Sequence, residues 1–308
     1  MQNVQSGRVA IVFSCDQAYA FLARGLVLSL REAGYPNKTT SVILIDIGCD
    51  VQTLSWMKDS SIEIVQFDPG LVPSRLLNLI RPAQRAQVVR PWLPQLLPQF
   101  EHLIWFDCDL WLQNGEVIKL MQTGASITPD AVTIAPGMSH YNTFLYHDIE
   151  RLLTMQRSWY MGTYEPQFAG QAVNRIHYSS GVFGMLGSSP VWALWRQEVL
   201  ALYPIIAVRN ANLLHLAEQI ALNIVIFRTN LKVNIDPLYN FHCNSGGAMR
   251  TATGRVMTNL LLPPREIGVI HLANWSLLRE HYLEQKLLYQ GGGYLSPAEY
   301  AALAKSPS

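Results

Sequence analysis

The sequence has little charge of either sign. Its 23 Lys and Arg residues nearly balance 22 Asp and Glu residues, which gives a formal net charge of +1, and only 15% of the chain is charged. Nucleic acids and acidic membranes attract strongly basic proteins, so this balance argues against polyanion binding. Disorder is excluded as well, because 49% of the 308 residues are hydrophobic and can form a large core. The low charge favours a homodimer.

Cysteine motifs and membrane-spanning runs are also lacking, and we expect no signal peptide. The four cysteines include no CxxC pair, so neither a zinc knuckle nor a disulfide framework is indicated. The longest uncharged stretch, 178–195, contains Pro190 and three glycines, which disqualifies it as a membrane helix. The first eight residues lack the basic start and apolar run of a signal peptide. These absences predict a cytoplasmic protein, soluble or peripheral to a membrane.

Short β-branched runs alternate with helical patterns in the first hundred residues. This alternation predicts βαβ units and a mostly parallel sheet in an α/β domain. Strands are expected at 9–14, 41–47, 62–67, 103–106 and 182–186, and helices at 19–33, 83–97 in part, 190–202, 215–227 and from Ser296. The aromatic-rich region 124–176 is interpreted as an irregular insertion, either a loop-rich cover packed by its own aromatics or an acceptor-binding wall.

The sharpest local motif is Asp107-Cys108-Asp109, directly after the strand at 103–106. Ligands collect at the carboxyl ends of parallel strands, and two carboxylates suit Mg²⁺ or Mn²⁺. The same pattern also occurs in solvated turns. It is found in haloacid-dehalogenase-like phosphatases too, where the first Asp is a nucleophile. That class is disfavoured because Trp111 stands where Thr or Val is usual. P-loop, dinucleotide and GxSxG motifs are absent from the sequence.

Several segments, in order along the chain, resemble one enzyme family. They are 9–16 with Tyr19, 88–98, 107–109, 179–182, 218–223, 238–240 and 269–275. Together they resemble the nucleotide-sugar glycosyltransferases of the GT-A fold, family eight, which includes bacterial lipopolysaccharide galactosyl- and glucosyltransferases and glycogenin. The resemblance implies a Rossmann-like, mostly parallel sheet with flanking helices in one domain over 1–276. A small helical extension over 277–308 would either pack on that domain or touch a membrane.

The resemblance also implies roles for individual residues. The implied metal ligands are Asp107, Asp109 and His271, holding Mn²⁺ or Mg²⁺. The implied substrate-binding residues are Asp16, Tyr19, Arg90, Asp107, Ser179, Asn274 and Arg279. Glu218 and Gln219 are the catalytic candidates, for stabilising an oxocarbenium-like state or, as the less favoured role, for attacking it.

The chain departs from the family at five positions. Ala18 replaces an Asn near the base, Ser179 replaces Asn, and Glu218 replaces Asp. Asn274 replaces a Gly, and Leu277 stands where a Lys binds the diphosphate, so Arg279 is expected to substitute for that lysine.

The resemblance implies a metal-dependent, retaining transferase. It would move a hexose from a nucleotide sugar, UDP-linked glucose or galactose by default, to a glycan, lipid-linked or protein acceptor. The alternative is a nucleotide-sugar-binding protein with weak or no transferase activity.

Overall fold

The structure, a computed structural model, describes residues 8–137, 149–161, 163–242, 248–250, 256–258 and 263–272. Its strands are β1 (Val9–Cys15), β2 (Thr40–Asp46), β3 (Glu63–Gln66), β4 (His102–Phe106), β5 (Leu110–Leu112), β6 (Val132–Pro136), β7 (Tyr178–Leu186), β8 (Lys232–Asn234), β9 (Phe241–His242), β10 (Ala248–Arg250), β11 (Val256–Thr258), β12 (Arg265–Glu266) and β13 (Val269–His271). Its helices are α1 (Ala20–Glu32), α2 (Val51–Asp59), α3 (Ser74–Leu77), α4 (Arg85–Val88), α5 (Leu93–Leu96), α6 (Glu116–Ile127), α7 (Ile149–Tyr160), α8 (Pro166–Val173), α9 (Val191–Arg209) and α10 (Ala217–Thr229).

Seven strands form the central sheet, in the order β3-β2-β1-β4-β7-β6-β8. The first four strands are parallel, β7 runs antiparallel to both of its neighbours, and β6 and β8 are again parallel. The sheet is buried on both faces, as the continuous apolar run of β1 indicates. Ala10 and Val12 of β1 belong to one core cluster, whereas Val9, Ile11 and Phe13 belong to the other. The predicted mostly parallel α/β sheet is confirmed.

Glycine and proline set the ends of the first helices. Helix α1 ends before Gly34, which has φ of 86° in the left-handed region where glycine is favoured. Pro91 and Pro94 divide the expected helical region 83–97 into α4, a 3₁₀ turn at Arg90–Trp92 and α5. With the 3₁₀ turn at Pro82–Gln84, the partial helix expected there is therefore present as four short pieces.

The irregular interpretation of 124–176 is wrong for most of the described part of that region. Helix α6 continues to Ile127, β6 is a strand of the central sheet, and α7 and α8 follow. The aromatic residues misled the prediction because Trp159 and Tyr160 are buried in the main core instead of covering a loop. Residues 138–148 and 162 lie outside the described part, so an acceptor-binding wall there stays a prediction.

Two other elements begin or end away from the expected positions. Strand β7 begins at Tyr178, and α9 continues to Arg209, so both are longer than expected. By length and composition alone helix α9 could cross a membrane, and 39% of this apolar stretch is buried within the fold. Trp192, Trp195 and Tyr203 of this helix belong to the main core.

Two small sheets complete the described fold. The order β5-β13-β9 links the segment just after Asp109 to the segment that ends at His271. The other small sheet has the order β10-β11-β12. The expected helix from Ser296 and the extension 277–308 lie outside the described residues, and the division into domains stays a prediction.

Candidate functional site

The residues predicted to bind the nucleotide lie at the carboxyl edge of the central sheet. Strands β1 and β4 are parallel neighbours, so Asp16 and Asp107, which follow them, lie at the same edge. The Asp16 side chain accepts a hydrogen bond from the Tyr19 backbone N–H at 3.2 Å and thereby caps the turn at Gln17–Tyr19. Both side chains are partly exposed. Their contact with a base and ribose stays a prediction.

A cluster of two carboxylates and one imidazole lies beside this edge. Ligand atoms of Asp107, Asp109 and His271 all lie within 4.8 Å of one another. His271 Nε2 is 3.3 Å from Asp109 Oδ1 and 3.8 Å from Asp107 Oδ2. The antiparallel pairing of β13 with β5 explains this proximity, because it sets His271 opposite Leu110. The Leu272 N–H also donates to the Asp109 carbonyl at 3.0 Å.

Neighbouring residues fix the ring of His271 and allow it to approach the two carboxylates. His271 Nδ1 is 2.8 Å from Asn240 Oδ1, so Nδ1–H donates there and Nε2 faces the carboxylates. Gly181 leaves space beside them, since a Cβ on it would lie 2.5 Å from His271 Cε1 and 2.8 Å from Asp107 Oδ2. Two carboxylate oxygens and one imidazole nitrogen on one side of this space fit a divalent cation.

Charge within the cluster shifts two pKa values. Burial opposes protonation of His271, but the carboxylates of Asp109 and Asp107 outweigh it and raise the pKa of His271. Burial opposes ionisation of Asp109, but His271 outweighs it and lowers the pKa of Asp109. A proton on His271 and a divalent cation therefore compete for the same position.

Arg90 joins the cluster to the start of α10. Its Nη1 donates to Ser180 Oγ at 2.6 Å and to Glu218 Oε2 at 2.7 Å, and its Nη2 donates to Asp107 Oδ1. Trp105 Nε1 donates to the same Asp107 oxygen at 2.8 Å, which leaves Oδ2 facing His271. Arg90 is only 6% exposed. In this structure Arg90 orients two carboxylates, and its contact with a donor stays a prediction.

Glu218 is the more buried of the two catalytic candidates. Burial raises the pKa of Glu218 to about 7, against the opposing effect of Arg90. Its Oε1 has no hydrogen-bond partner among the described residues. Its position in the first turn of α10 places the carboxylate at the positive end of the helix dipole.

Gln219 is partly exposed and lies against β7. Its Oε1 accepts from the Ser180 N–H at 3.0 Å, and its Nε2 is 2.9 Å from His177 Nε2. Asn223, one turn further along α10, binds the N–H and C=O of Tyr178 at 2.7 and 2.8 Å. The four-residue spacing puts Gln219 and Asn223 on the same face of the helix, which docks on β7.

Several of these contacts were not predicted from the sequence. They are made by Trp105, Tyr160, His177, Ser180 and Asn240, whose side chains bind predicted site residues or, for Tyr160, bind His177. The thiols of Cys15 and Cys49, 34 positions apart, lie 3.5 Å from each other. Trp105 lies in the strand expected at 103–106, and Ser180 and Asn240 lie in segments of the family resemblance, whereas nothing in the sequence indicated the contacts of Tyr160 and His177.

The structure does not test the predicted roles of three further site residues. The buried Ser179 hydroxyl accepts from the Gly181 N–H at 3.3 Å, so its contact with a sugar stays a prediction. Asn274 and Arg279 lie outside the described residues, as does the Leu277 position.

No family model and no curated protein matches the sequence. Among solved structures, it is similar to the galactosyltransferase LgtC in complex with donor and acceptor sugar analogs, with 13% identity and a TM-score of 0.56 over 97% of this chain and 96% of that one. An active-site mutant of LgtC gives 13% identity and a TM-score of 0.54 over 96% and 95%.

The apo structure of the bifunctional glycosyltransferase WbbM gives 13% identity and a TM-score of 0.56 over 89% of this chain. The match covers 47% of WbbM, so this chain spans about half the length of that enzyme. At these identities the likeness concerns the fold. The chain has the mixed α/β fold of GT-A glycosyltransferases.

Proposed function

We propose that this protein is a metal-dependent glycosyltransferase of the family-eight type, acting on a nucleotide-diphosphate sugar. The observation that carries the proposal is the cluster of Asp107, Asp109 and His271, which two distant segments assemble at the ligand edge of the sheet. A solvated turn does not require a buried histidine held by Asn240 against its carboxylates. The cluster lies at the carboxyl edge of the parallel strands, where α/β folds commonly bind ligands, and this supports a nucleotide sugar as the proposed ligand.

The proposed cation is Mn²⁺ or Mg²⁺, with Mn²⁺ preferred because of the imidazole ligand. When bound, it supplies a Lewis acid that offsets charge on the departing nucleoside diphosphate. Neighbouring side chains orient the residues that would bind the cation. Arg90 and Trp105 hold one oxygen of Asp107, so that the other faces His271. Asn240 fixes the ring of His271 with Nε2 toward the carboxylates.

Gln219 is the proposed catalytic residue. Its partly exposed amide can direct the negative end of its dipole at the sugar carbon, where positive charge develops as the bond to the diphosphate breaks. Glu218 is less suited to attack that carbon, because its side chain is 2% exposed and paired with Arg90. We assign Glu218 to holding Arg90 and Ser180 in place. Retention at the anomeric carbon remains part of the proposal through the family resemblance.

The donor is proposed to be UDP-linked glucose or galactose, with Asp16 and Tyr19 at the base and ribose. The acceptor is proposed to be a glycan on a lipid, a protein or another saccharide. Asn274 and Arg279 are proposed to bind the donor from the segment after β13.

The test is nucleotide release from a donor panel. UDP-glucose, UDP-galactose, UDP-N-acetylglucosamine and GDP- and CDP-sugars are incubated with Mn²⁺ and with the wild type, Asp109→Asn or Asp130→Asn. Asp130 is exposed and provides the same chemical change away from the site. We expect one donor class to be hydrolysed, with no loss in Asp130→Asn and a loss of about 100-fold in Asp109→Asn, since changing even a residue that only orients a metal ligand costs about 10- to 100-fold.

Two outcomes would contradict the proposal. Mn²⁺-dependent binding without release, even when saccharide acceptors are added, would identify a nucleotide-sugar-binding protein. Equal release by Asp109→Asn and wild type would remove the metal site from the reaction.

A further inference from the structure

The amide of Gln219 lies between two partners of different character. On one side its Oε1 is 3.0 Å from the backbone nitrogen of Ser180. On the other side its Nε2 is 2.9 Å from Nε2 of His177. A backbone N–H can only donate, so the oxygen of Gln219 must face Ser180 and the NH₂ group must face His177.

This orientation determines the protonation of His177. Because the NH₂ group of Gln219 donates, His177 Nε2 must be an acceptor and carries no proton. Asn223 does not compete for this nitrogen. Its Nδ2 is 3.4 Å from His177 Nε2, but its two hydrogens are donated to the carbonyl oxygens of Tyr178 and Gln219, both at 2.8 Å. The NH₂ group of Gln219 is therefore the donor to His177 Nε2.

The other ring nitrogen completes the chain of hydrogen bonds. With Nε2 unprotonated, the neutral ring carries its proton on Nδ1, which donates to the Tyr160 hydroxyl oxygen at 2.9 Å. His177 is 2% exposed, and its ring packs against Trp159 at 4.7 Å between centroids. The buried ring therefore has a fixed position and a single tautomer.

We propose that His177 is a positioning residue that holds the Gln219 amide in its catalytically useful orientation. This inference rests on the proposed function. The Gln219 oxygen faces Ser180, the residue before Gly181, and Gly181 packs closely against His271 and Asp107, whereas the Gln219 nitrogen faces His177. The Ser180 N–H favours this orientation from one end, and the acceptor at His177 Nε2 fixes it from the other, so loss of His177 leaves the NH₂ group without its hydrogen bond and the amide held at one end only. A rotated amide would present the positive end of its dipole to a sugar carbon that is gaining positive charge.

The kinetic test compares variants at His177 with a matched control. His177→Leu removes the acceptor, His177→Gln retains a carbonyl oxygen within reach of Gln219, and His215→Leu makes the same change at an exposed histidine. We measure kcat and KM for Mn²⁺-dependent hydrolysis of the preferred donor, and Kd for UDP. For His177→Leu we expect kcat to fall about 10-fold or more with KM and Kd within about twofold, since orientation and not binding is lost.

Rescue by glutamine separates positioning from structural support. His177→Gln should recover most of the lost kcat, and His215→Leu should match the wild type. Equal loss in the leucine and glutamine variants, or unchanged kcat in His177→Leu, would overturn the inference. If His177→Leu does not fold, Tyr160→Phe serves in its place. That change removes the acceptor for Nδ1–H, and it should lower kcat without changing the Kd for UDP.

A double-mutant cycle tests whether His177 acts through Gln219. In the Gln219→Ala background, His177→Leu should cause no further loss of kcat, because no amide remains to be oriented. A second loss of the same factor would show that His177 acts by another route and would contradict the inference.

¹⁵N NMR of histidine-labelled protein distinguishes failure of the proposed function from failure of the hydrogen-bond chain. The His177→Gln variant is used to assign the signals of the His177 ring. A spectrum with Nδ1 protonated and Nε2 unprotonated supports the hydrogen-bond chain, whatever the activity. A protonated Nε2 overturns it. If the wild type hydrolyses no donor, the proposed function fails together with the catalytic consequence, and the NMR result alone decides the orientation of Gln219.

Discussion

The space that Gly181 leaves at the metal cluster makes Gly181→Ala the most direct test of the site. The new Cβ would lie 2.5 Å from His271 Cε1 and 2.8 Å from Asp107 Oδ2, whereas ordinary contacts begin at 3.4 Å. His271 is tied to Asn240 and lies in a strand, and Asp107 is tied to Arg90, so neither can move freely. Both must shift by roughly 1 Å to reach the normal carbon contact distance.

Two effects of different size follow from this shift. Overpacking of a well-filled interior costs about 1–3 kcal/mol of unfolding free energy. A displacement of about 1 Å at catalytic groups can cost about 100-fold in rate. We therefore expect Gly181→Ala to lower Tm by a few degrees, to weaken Mn²⁺ binding and to reduce donor hydrolysis about 100-fold.

The matched control is Gly170→Ala in α8, where an added Cβ meets no atom within 4 Å. Alanine in a helix interior is favoured over glycine by about 0.5–1 kcal/mol, so this variant should be slightly more stable than the wild type. For both variants we measure the Mn²⁺ affinity by calorimetry, the Tm by thermal unfolding and the rate of donor hydrolysis. A Gly181→Ala variant with the same Mn²⁺ affinity and the same Tm as Gly170→Ala would refute the predicted clash.

Three further predictions concern charge in and around the cluster. The carboxylates raise the pKa of His271, so below that pKa a proton must leave His271 before a cation can bind. The affinity for Mn²⁺ should therefore increase with pH up to the pKa of His271. Calorimetry at several pH values should detect this increase in the wild type and not in His271→Ala. Burial raises the pKa of Glu218 from 4.5 to about 7, so ionisation costs stability as pH rises through this window, by at most about 3 kcal/mol. The stability of Glu218→Gln relative to wild type in urea titrations should therefore grow between pH 4.5 and 7 and then level off; a constant difference would contradict the burial argument. Arg90→Met leaves Asp107 and Glu218 without their shared cation and should destabilise the fold by about 3–5 kcal/mol in the same assay; a loss below about 1 kcal/mol would mean that solvent or another group satisfies both carboxylates.

The parts of the fold that could be predicted from sequence are those with strong local patterns. Strands β1 and β4 are apolar runs buried along their whole length, and both end at acidic residues, so their position and the edge they form were predictable. Helix α1 was equally clear, because its apolar face ends at Gly34. The two carboxylates of the candidate metal cluster were indicated by their place at the strand end, but His271 could be added only through the family resemblance, since 162 positions separate it from Asp109.

The remaining elements and contacts depend on tertiary packing, which the sequence pattern does not indicate. Strand β6 has five residues within an aromatic-rich region, and only its place beside β7 distinguishes it from a loop. The contact of His177 with Gln219 spans 42 positions and depends on how α10 docks on β7. Neither residue type indicates such a contact, because a histidine beside a strand is more often a core residue than a partner of a catalytic amide.

The small sheet β5-β13-β9 joins parts of the chain that are far apart in sequence. Strand β13 is three residues long and carries His271, while the turn before β5 carries Asp107 and Asp109. A cation that binds all three ligands would cross-link two distant parts of the chain and would resist separation of β13 from β5. Stabilisation of this kind grows with free cation concentration as RT ln(1 + [M]/Kd). Hydrogen exchange at Ile270 and His271 should therefore slow when Mn²⁺ is added, so that exchange in β13 reports occupancy of a site whose carboxylates lie in another segment.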